Sequence, residues 1–333
     1  MADRAELLNS IASTIQTYRE GQVPRPDAAH VNRWVEQFPP ERQLPILTEM
    51  APLMEHCFLK EDWIRAQMQR LARSVKIAGE NPSTYWRTVN FLSVQQNGNS
   101  QQDMLRIFGE ELNAIYGIDV NSCGVPGGDY MYLDDIMCTG TRVGTDLGAW
   151  IAERAPAKAK LHVVGLIIHS SGIYYLRTTK LQEAKDRSGK AIDIRYWYSL
   201  EIENKKARRN VSEVLWPVRL PADPDMQPYF AALRYPLEPR IPVADRSRIF
   251  TTEVGRQVLE DSFLVAGITI RSQHDNPREF LKPLGFGGFG VGFGSTFATY
   301  RNCPNTAPLA IWWGEGRDHG PMQWYPLLPR IIY

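Results

Sequence analysis

Cysteine is scarce in this chain: Cys57, Cys123, Cys138 and Cys303 are its four, and no two form a C-x-x-C pair. That argues against a disulfide framework and against a structural zinc site, so four free thiols in a reducing compartment are expected. Charge of one sign is lacking as well. Lys and Arg number 38 against 37 for Asp and Glu, so no overall field draws the chain to nucleic acid or an anionic lipid surface, and a nucleic-acid partner would need a local patch. Nor does any apolar run approach the ~20 residues of a membrane span. Met1-Ala-Asp-Arg-Ala-Glu lacks the basic start and apolar core of a signal peptide, and a cytoplasmic protein without membrane contact is expected. What is present is globular: 333 residues, 43% of them apolar, suffice for one large domain with extensions or two packed lobes.

The most informative stretch is Tyr130-Met-Tyr-Leu-Asp134-Asp135-Ile-Met-Cys138-Thr139-Gly140-Thr141-Arg142-Val143-Gly144. Four apolar residues predict a buried strand that stops at two adjacent carboxylates, followed by a small polar loop and an amphipathic helix carrying Val143, Leu147, Trp150 and Ile151 on one face. A loop entering a helix offers unpaired N–H groups and the positive end of the helix dipole, a place for a phosphate. Two carboxylates at the strand tip would hold what hangs from that phosphate, either ribose hydroxyls or a hydrated magnesium ion. Asp134 and Asp135 are therefore the candidate catalytic and Mg²⁺-binding pair, and Cys138, Thr139, Gly140, Thr141 and Arg142 the candidate phosphate loop.

Around this stretch the periodicity divides the chain into three parts: a helical lobe over 1–79, an α/β core over 80–204 and a C-terminal extension over 205–333. In the lobe, helices are expected near the N-terminus, after a cap at Asp27, and over 43–56 and 60–76. His30 and His56 read as packed or surface residues. In the core, Thr88–Val94 predicts a strand, Gln95–Ser100 a polar loop, and Met104, Leu105, Phe108, Leu112 and Ile115 a helix capped by Ser100 or Asp103 and ending near Gly117. Strands at 160–168 and 191–198 flank a helix at about 172–186. Alternating elements predict a mostly parallel sheet with helices on both faces. His162 reads as structural, whereas His169, at the C-terminal end of its strand, is a candidate for touching ligand.

In the extension, Lys205-Lys-Ala-Arg208-Arg209 is the one basic cluster and the only feature that suggests nucleic-acid contact. Residues 217–242 are punctuated by proline and should be irregular, and a helix is expected over 251–266 with Val254, Val258, Phe263 and Leu264 on its buried face. Gly285 to Gly294 contains the letters G-x-G-x-x-G, but β-like residues follow it rather than a helix, so no NAD site is expected. Six glycines interleaved with phenylalanines predict unusual φ with rings packed between turns. With a strand expected over Pro308–Gly314 and an aromatic tail, the segment reads as a cover over the sheet from which Arg301 or Asn302 could reach a ligand.

The stretch from Tyr130 resembles the ribose-phosphate signature of type I phosphoribosyltransferases: a hydrophobic run, two acids, two apolar residues and a Thr-Gly loop. Cys138 departs from the residues usual at its position. The resemblance implies the type I phosphoribosyltransferase α/β fold. It also implies that the loop after the first strand, Gln95, Gln96, Asn97, Gly98, Asn99 and Ser100, matches by position the one that holds pyrophosphate, though here it carries no Lys or Arg. Only about a dozen residues, from Ile118 to Asp129, stand where working members place further strands and a long closing loop. Across the chain, His30–Phe38, Phe91–Gln95, Ser100–Leu105, the signature and Gly285–Gly314 are similar to phosphoribosyltransferase-like proteins of bacterial conflict systems. That resemblance implies an antiviral defence effector, often beside an ATPase or a reverse transcriptase such as a retron's. The leading expectation is cleavage or transfer at the anomeric carbon of a ribosyl phosphate, either PRPP or a nucleotide, with Mg²⁺ brought by the ligand. The alternative is a non-catalytic subunit that senses a nucleotide and passes its occupancy to a protein partner.

Overall fold

The computed structural model describes residues 3–96, 98–221, 223–242, 247–273, 277–288, 290–314 and 324–330. Contacts group the chain into two compact units, Glu61–Ile202 and the pair of segments Met1–Lys60 with Glu203–Tyr333.

Unit Glu61–Ile202 is the α/β part. Its sheet has four parallel strands in the order β1 (Asn90–Phe91), β2 (Tyr130–Met137), β3 (Lys158–His169) and β4 (Ala191–Ile202). β1 is far shorter than the expected strand, for two local reasons. Residues Pro82–Thr88 form a helix pinned by the buried Trp86, whose indole N–H donates to the Ala72 carbonyl at 2.7 Å. Beyond Phe91, the Val94 and Gln95 N–H groups donate to the Gln101 side-chain oxygen at 2.7 and 2.9 Å, which ends the ladder. β2 departs the other way. It does not stop at the acids but runs through them, pairing Ile136 with Ile167 and Met137 with Ile168, because β3 is long enough to match it.

The helices are α1 (Glu61–Ala72), α2 (Ser100–Tyr116), α3 (Thr141–Glu153) and α4 (Leu181–Ser188), the last joined to Ser170–Tyr175 by a π turn, Leu176–Lys180. Val143, Leu147, Trp150 and Ile151 of α3 share a core with Leu92, Tyr132, Leu161, Val163 and Ile192. Neighbouring strand residues point to opposite faces, and Phe91 accordingly turns to Phe108 of α2, ring centroids 5.7 Å apart. Helices thus flank both faces of the sheet. α1 joins this unit rather than the N-terminal lobe: Arg65 reaches Glu110 at 2.8 Å and Glu111 at 3.2 Å on α2.

The other unit contains helices Arg4–Ile15, Ala28–Val35, Pro40–Cys57 and Glu253–Ser272, with strand Phe58–Leu59 parallel to Ala298–Thr299. Asp27 caps its helix as expected, accepting from the His30 N–H at 2.8 Å. The lobe and the C-terminal segment form one core here: the Trp34 indole donates to the Ala310 carbonyl at 2.8 Å and the Tyr18 hydroxyl to that of Pro329 at 3.1 Å. Two local expectations are corrected. Pro308–Gly314 is no strand but holds a short helix, Leu309–Trp312, fastened by the Trp312 indole on the Ala307 carbonyl. Val254 is 74% exposed, at the helix N-terminus and off the buried face. In the basic cluster, Lys206 meets Glu238 at 2.5 Å and Arg208 meets Glu203 at 2.9 Å. The glycine-rich run does take unusual φ, positive at Gly285, Gly290, Gly292 and Gly294.

Candidate functional site

β2, β3 and the helices after them put the acids and the polar loop side by side. Asp134 is buried, and its Oδ1 accepts the Asp135 N–H at 3.0 Å. The Tyr132 hydroxyl reaches its Oδ2 at 3.5 Å. Burial first, and the charge of Asp135 second, push the Asp134 pKa up to about 7, partly offset by the nearby Ser100 hydroxyl and the Asp135 N–H. Two adjacent carboxyls disfavour ionising together, which adds to burial in raising the Asp134 value. Asp135 is half-buried, with its Oδ1 accepting the Ile136 N–H at 2.7 Å.

The loop after β2 turns at Gly140, φ +71°, and enters α3. Thr141 N–H donates to the Thr139 hydroxyl at 3.3 Å. Cys138 and Thr139 are half-buried, Gly140 is buried, and Thr141 and Arg142 are exposed. The turn is held from the far side by Gly172: a Cβ there would lie 1.8 Å from the Cys138 carbonyl oxygen, and one on Gly140 would lie 2.5 Å from the Gly172 carbonyl oxygen. Sequence reading took Gly172 only as a helix start, and nothing in its neighbours announces the close approach.

The loop 95–100 meets the same site. Ser100, the first residue of α2, does not cap it. The N-cap is Asn99, without a side-chain bond, and the Ser100 hydroxyl accepts from Gln95 Nε2 at 3.0 Å. Gln95 Oε1 takes the Gln101 N–H at 3.0 Å, and Gln96 N–H points at Asp146 Oδ1, 3.4 Å away. A Cβ on Gly98 would lie 3.3 Å from an Arg142 guanidinium nitrogen, so the phosphate-loop arginine lies beside this loop. Asn97 falls outside the described residues.

Two further residues went unnoticed in the sequence. Asp146, one turn after Arg142, is 3% exposed, and Gln101 is fully buried. Burial raises the Asp146 pKa, while the Gln96 N–H and Arg142 hold it down. The i, i+4 spacing from Arg142 was the available signal.

His169 is fully buried and bonded to the Met137 carbonyl; burial pushes it down to about 4, so it is neutral at physiological pH and offers a phosphate no charge. Arg301 and Asn302 lie in the other unit, in a turn after Ala298–Thr299, where Asn302 Oδ1 accepts from Arg19 at 3.3 Å. His162 is structural as expected, accepting the Trp197 indole N–H at 2.8 Å.

As a metal site, Asp134 offers little, since its oxygens already accept protein donors. Asp135 could carry a hydrated Mg²⁺ whose other ligands are water and phosphate oxygens. Among the described residues no group of three His, Cys, Asp or Glu side chains is placed to hold a metal. No helix among them is long and apolar enough to cross a membrane.

Residues 31–330 match the family model PRTase-CE. No curated protein matches the chain.

Proposed function

The chain belongs to the PRTase-CE family, and on that premise we propose that its α/β unit binds a ribosyl 5′-phosphate, from a nucleotide or PRPP, and cleaves or transfers at the anomeric carbon. The observation that carries this is the acidic pair Asp134–Asp135 near the end of β2, beside the Gly140 turn into α3. The N–H groups of residues 139–142 are suited to the phosphate and the acids to the ribose. As the bond at C1′ breaks, positive charge grows on the sugar, and the carboxyl groups of Asp134 and Asp135 are placed to stabilise it without a reorganisation cost. Mg²⁺ carried on the ligand would rest on Asp135 and neutralise phosphate charge. We extend the reading to an effector of bacterial antiviral defence working with an ATPase or reverse transcriptase, on the resemblance to proteins of conflict systems.

One observation favours a second reading, a nucleotide sensor that signals to a partner. The segment before β2 is no closing loop. It holds a 3₁₀ turn, Val120–Ser122, and is tied down near the start of the sheet, Gly124 N–H donating to the Arg87 carbonyl at 2.9 Å and Val125 N–H to that of Thr88 at 3.3 Å. Nothing in it is free to cover a transition state.

Mass spectrometry of nucleotide pools exposed to wild type and to Asp134→Asn/Asp135→Asn separates the two. An enzyme releases a base or alters a nucleotide, and the double variant loses that activity by a factor on the order of 10² or more. A double variant as fast as wild type would remove the acids from the chemistry; no product from either favours the sensor.

A further inference from the structure

The sheet of the α/β unit ends on one side at β4, which pairs with β3 and, among the described residues, with no other strand. From Ile194 to Ile202 no described backbone group outside β3 bonds to it. Natural proteins guard such an edge with proline, lysine or a bulge, because its open N–H and C=O groups template pairing with another strand. β4 has no proline and no lysine, and its register with β3 runs unbroken from Lys158–Ala191 to His169–Ile202. It offers Tyr196-Trp197-Tyr198 instead, with Tyr198 49% exposed.

Which groups face outward follows from the ladder. The Ala191 N–H donates to the Ala157 carbonyl, so Ala191 and every second residue after it turn to β3, while Ile194, Tyr196, Tyr198, Leu200 and Ile202 turn their N–H and C=O away. The order of side chains then selects the partner. A second β4 laid antiparallel about a two-fold axis at Tyr198 sets Tyr198 opposite itself, Tyr196 opposite Leu200 and Ile194 opposite Ile202, each pair exchanging two hydrogen bonds. Between them, at the closer positions of the ladder, Arg195 faces Glu201 twice over. An axis at Trp197 would set Asp193 against Glu201, one at Arg195 would set that cation against itself, and one at Tyr196 would set Glu201 against Ala191.

We infer that β4 is the interface of a symmetric homodimer, two copies of this chain joined edge to edge in the register centred on Tyr198. The inference stands apart from the ribosyl-phosphate reading. Arg195 has 60% of its side chain exposed and reaches Asp193 at 3.1 Å on its own strand; a guanidinium has five N–H donors and serves both acids. The two copies of the strand run in opposite directions, so the loops after β2 lie at opposite ends of the joined sheet.

Sedimentation velocity of the full chain tests this. Wild type should be dimeric by about 100 µM chain. Arg195→Glu, which puts like charges at both positions, should raise the dissociation constant about tenfold, and Arg195→Glu/Glu201→Arg should bring it back. Oxidised Tyr198→Cys should give a dimer linked from position 198 to position 198, since Cα atoms opposed in a hydrogen-bonded pair lie about 5.5 Å apart. Wild type still monomeric at about 100 µM overturns the inference, and so does a dimer that Arg195→Glu leaves unchanged. A dimer weakened by Arg195→Glu and not restored by the charge exchange, or a Tyr198→Cys protein whose peptides show no such link by mass spectrometry, overturns the register. If one variant does not fold, the wild-type measurement and the other variant decide.

Discussion

Asp134 holds its proton far above the usual range for an aspartate, and its neighbours explain both the shift and its consequence. Its folded value of about 7 lies above the ~3.9 of a free side chain, so the folded state binds that proton more tightly than the unfolded state. The stability this gives is complete below pH ~4 and is lost as the pH rises through 7. Asp134→Asn removes the titration. Urea unfolding at pH 5 and pH 8 should show wild type losing on the order of 2–4 kcal/mol across that range and the variant losing clearly less; equal slopes would mean that Asp134 is not held protonated. The acids themselves were legible in the sequence because strand, acids and loop are contiguous. Asp146 was not, since its partner Gln96 is 50 positions away.

At the scale of elements, the phosphate loop depends on a close approach between backbone segments. Gly172→Ala puts a methyl group into the Cys138 carbonyl, so the loop must move, which should cost about 1–3 kcal/mol and weaken binding of ribose 5-phosphate. Gly148→Ala, on α3 with its Cβ 3.8 Å from that of Ala184, is the control: it should be neutral or stabilise by up to ~1 kcal/mol and leave binding alone. Thermal melts and titrations of the two variants check this, and equal behaviour would separate Gly172 from the loop. The elements were read well where periodicity was long, as in α2, α3 and β3. They were read badly where a side chain competed with the backbone: the Gln101 oxygen cut β1 short, and partner length carried β2 past its acids. Leu309–Trp312 was mistaken for a strand because a short apolar run has no period to tell helix from strand.

For the whole molecule, the alternation of strands and helices in the α/β unit emerged from the sequence, because its order of elements is local, although helix Glu61–Ala72 was read into the N-terminal lobe. The other unit did not: Tyr18, Trp34 and Phe38 pack with Phe263, Ala310, Trp324 and Pro329, and pairings across nearly the full chain leave no mark on either segment alone. The central claim, a ribosyl phosphate seated on the loop after β2, belongs to the full chain and can be tested there with its own cysteines. Cys138 lies in that loop and is half-buried; Cys123 is half-buried outside it; Cys57 and Cys303 are buried, and burial pushes the Cys57 thiol up to about 12. Iodoacetamide labelling followed by peptide mass spectrometry should modify Cys123 and Cys138 and spare the buried pair. Ribose 5-phosphate should slow labelling of Cys138 about tenfold or more at saturation while free ribose does not, and Cys123 should be unaffected by either. Cys138 labelled at one rate with and without saturating ribose 5-phosphate would contradict the account.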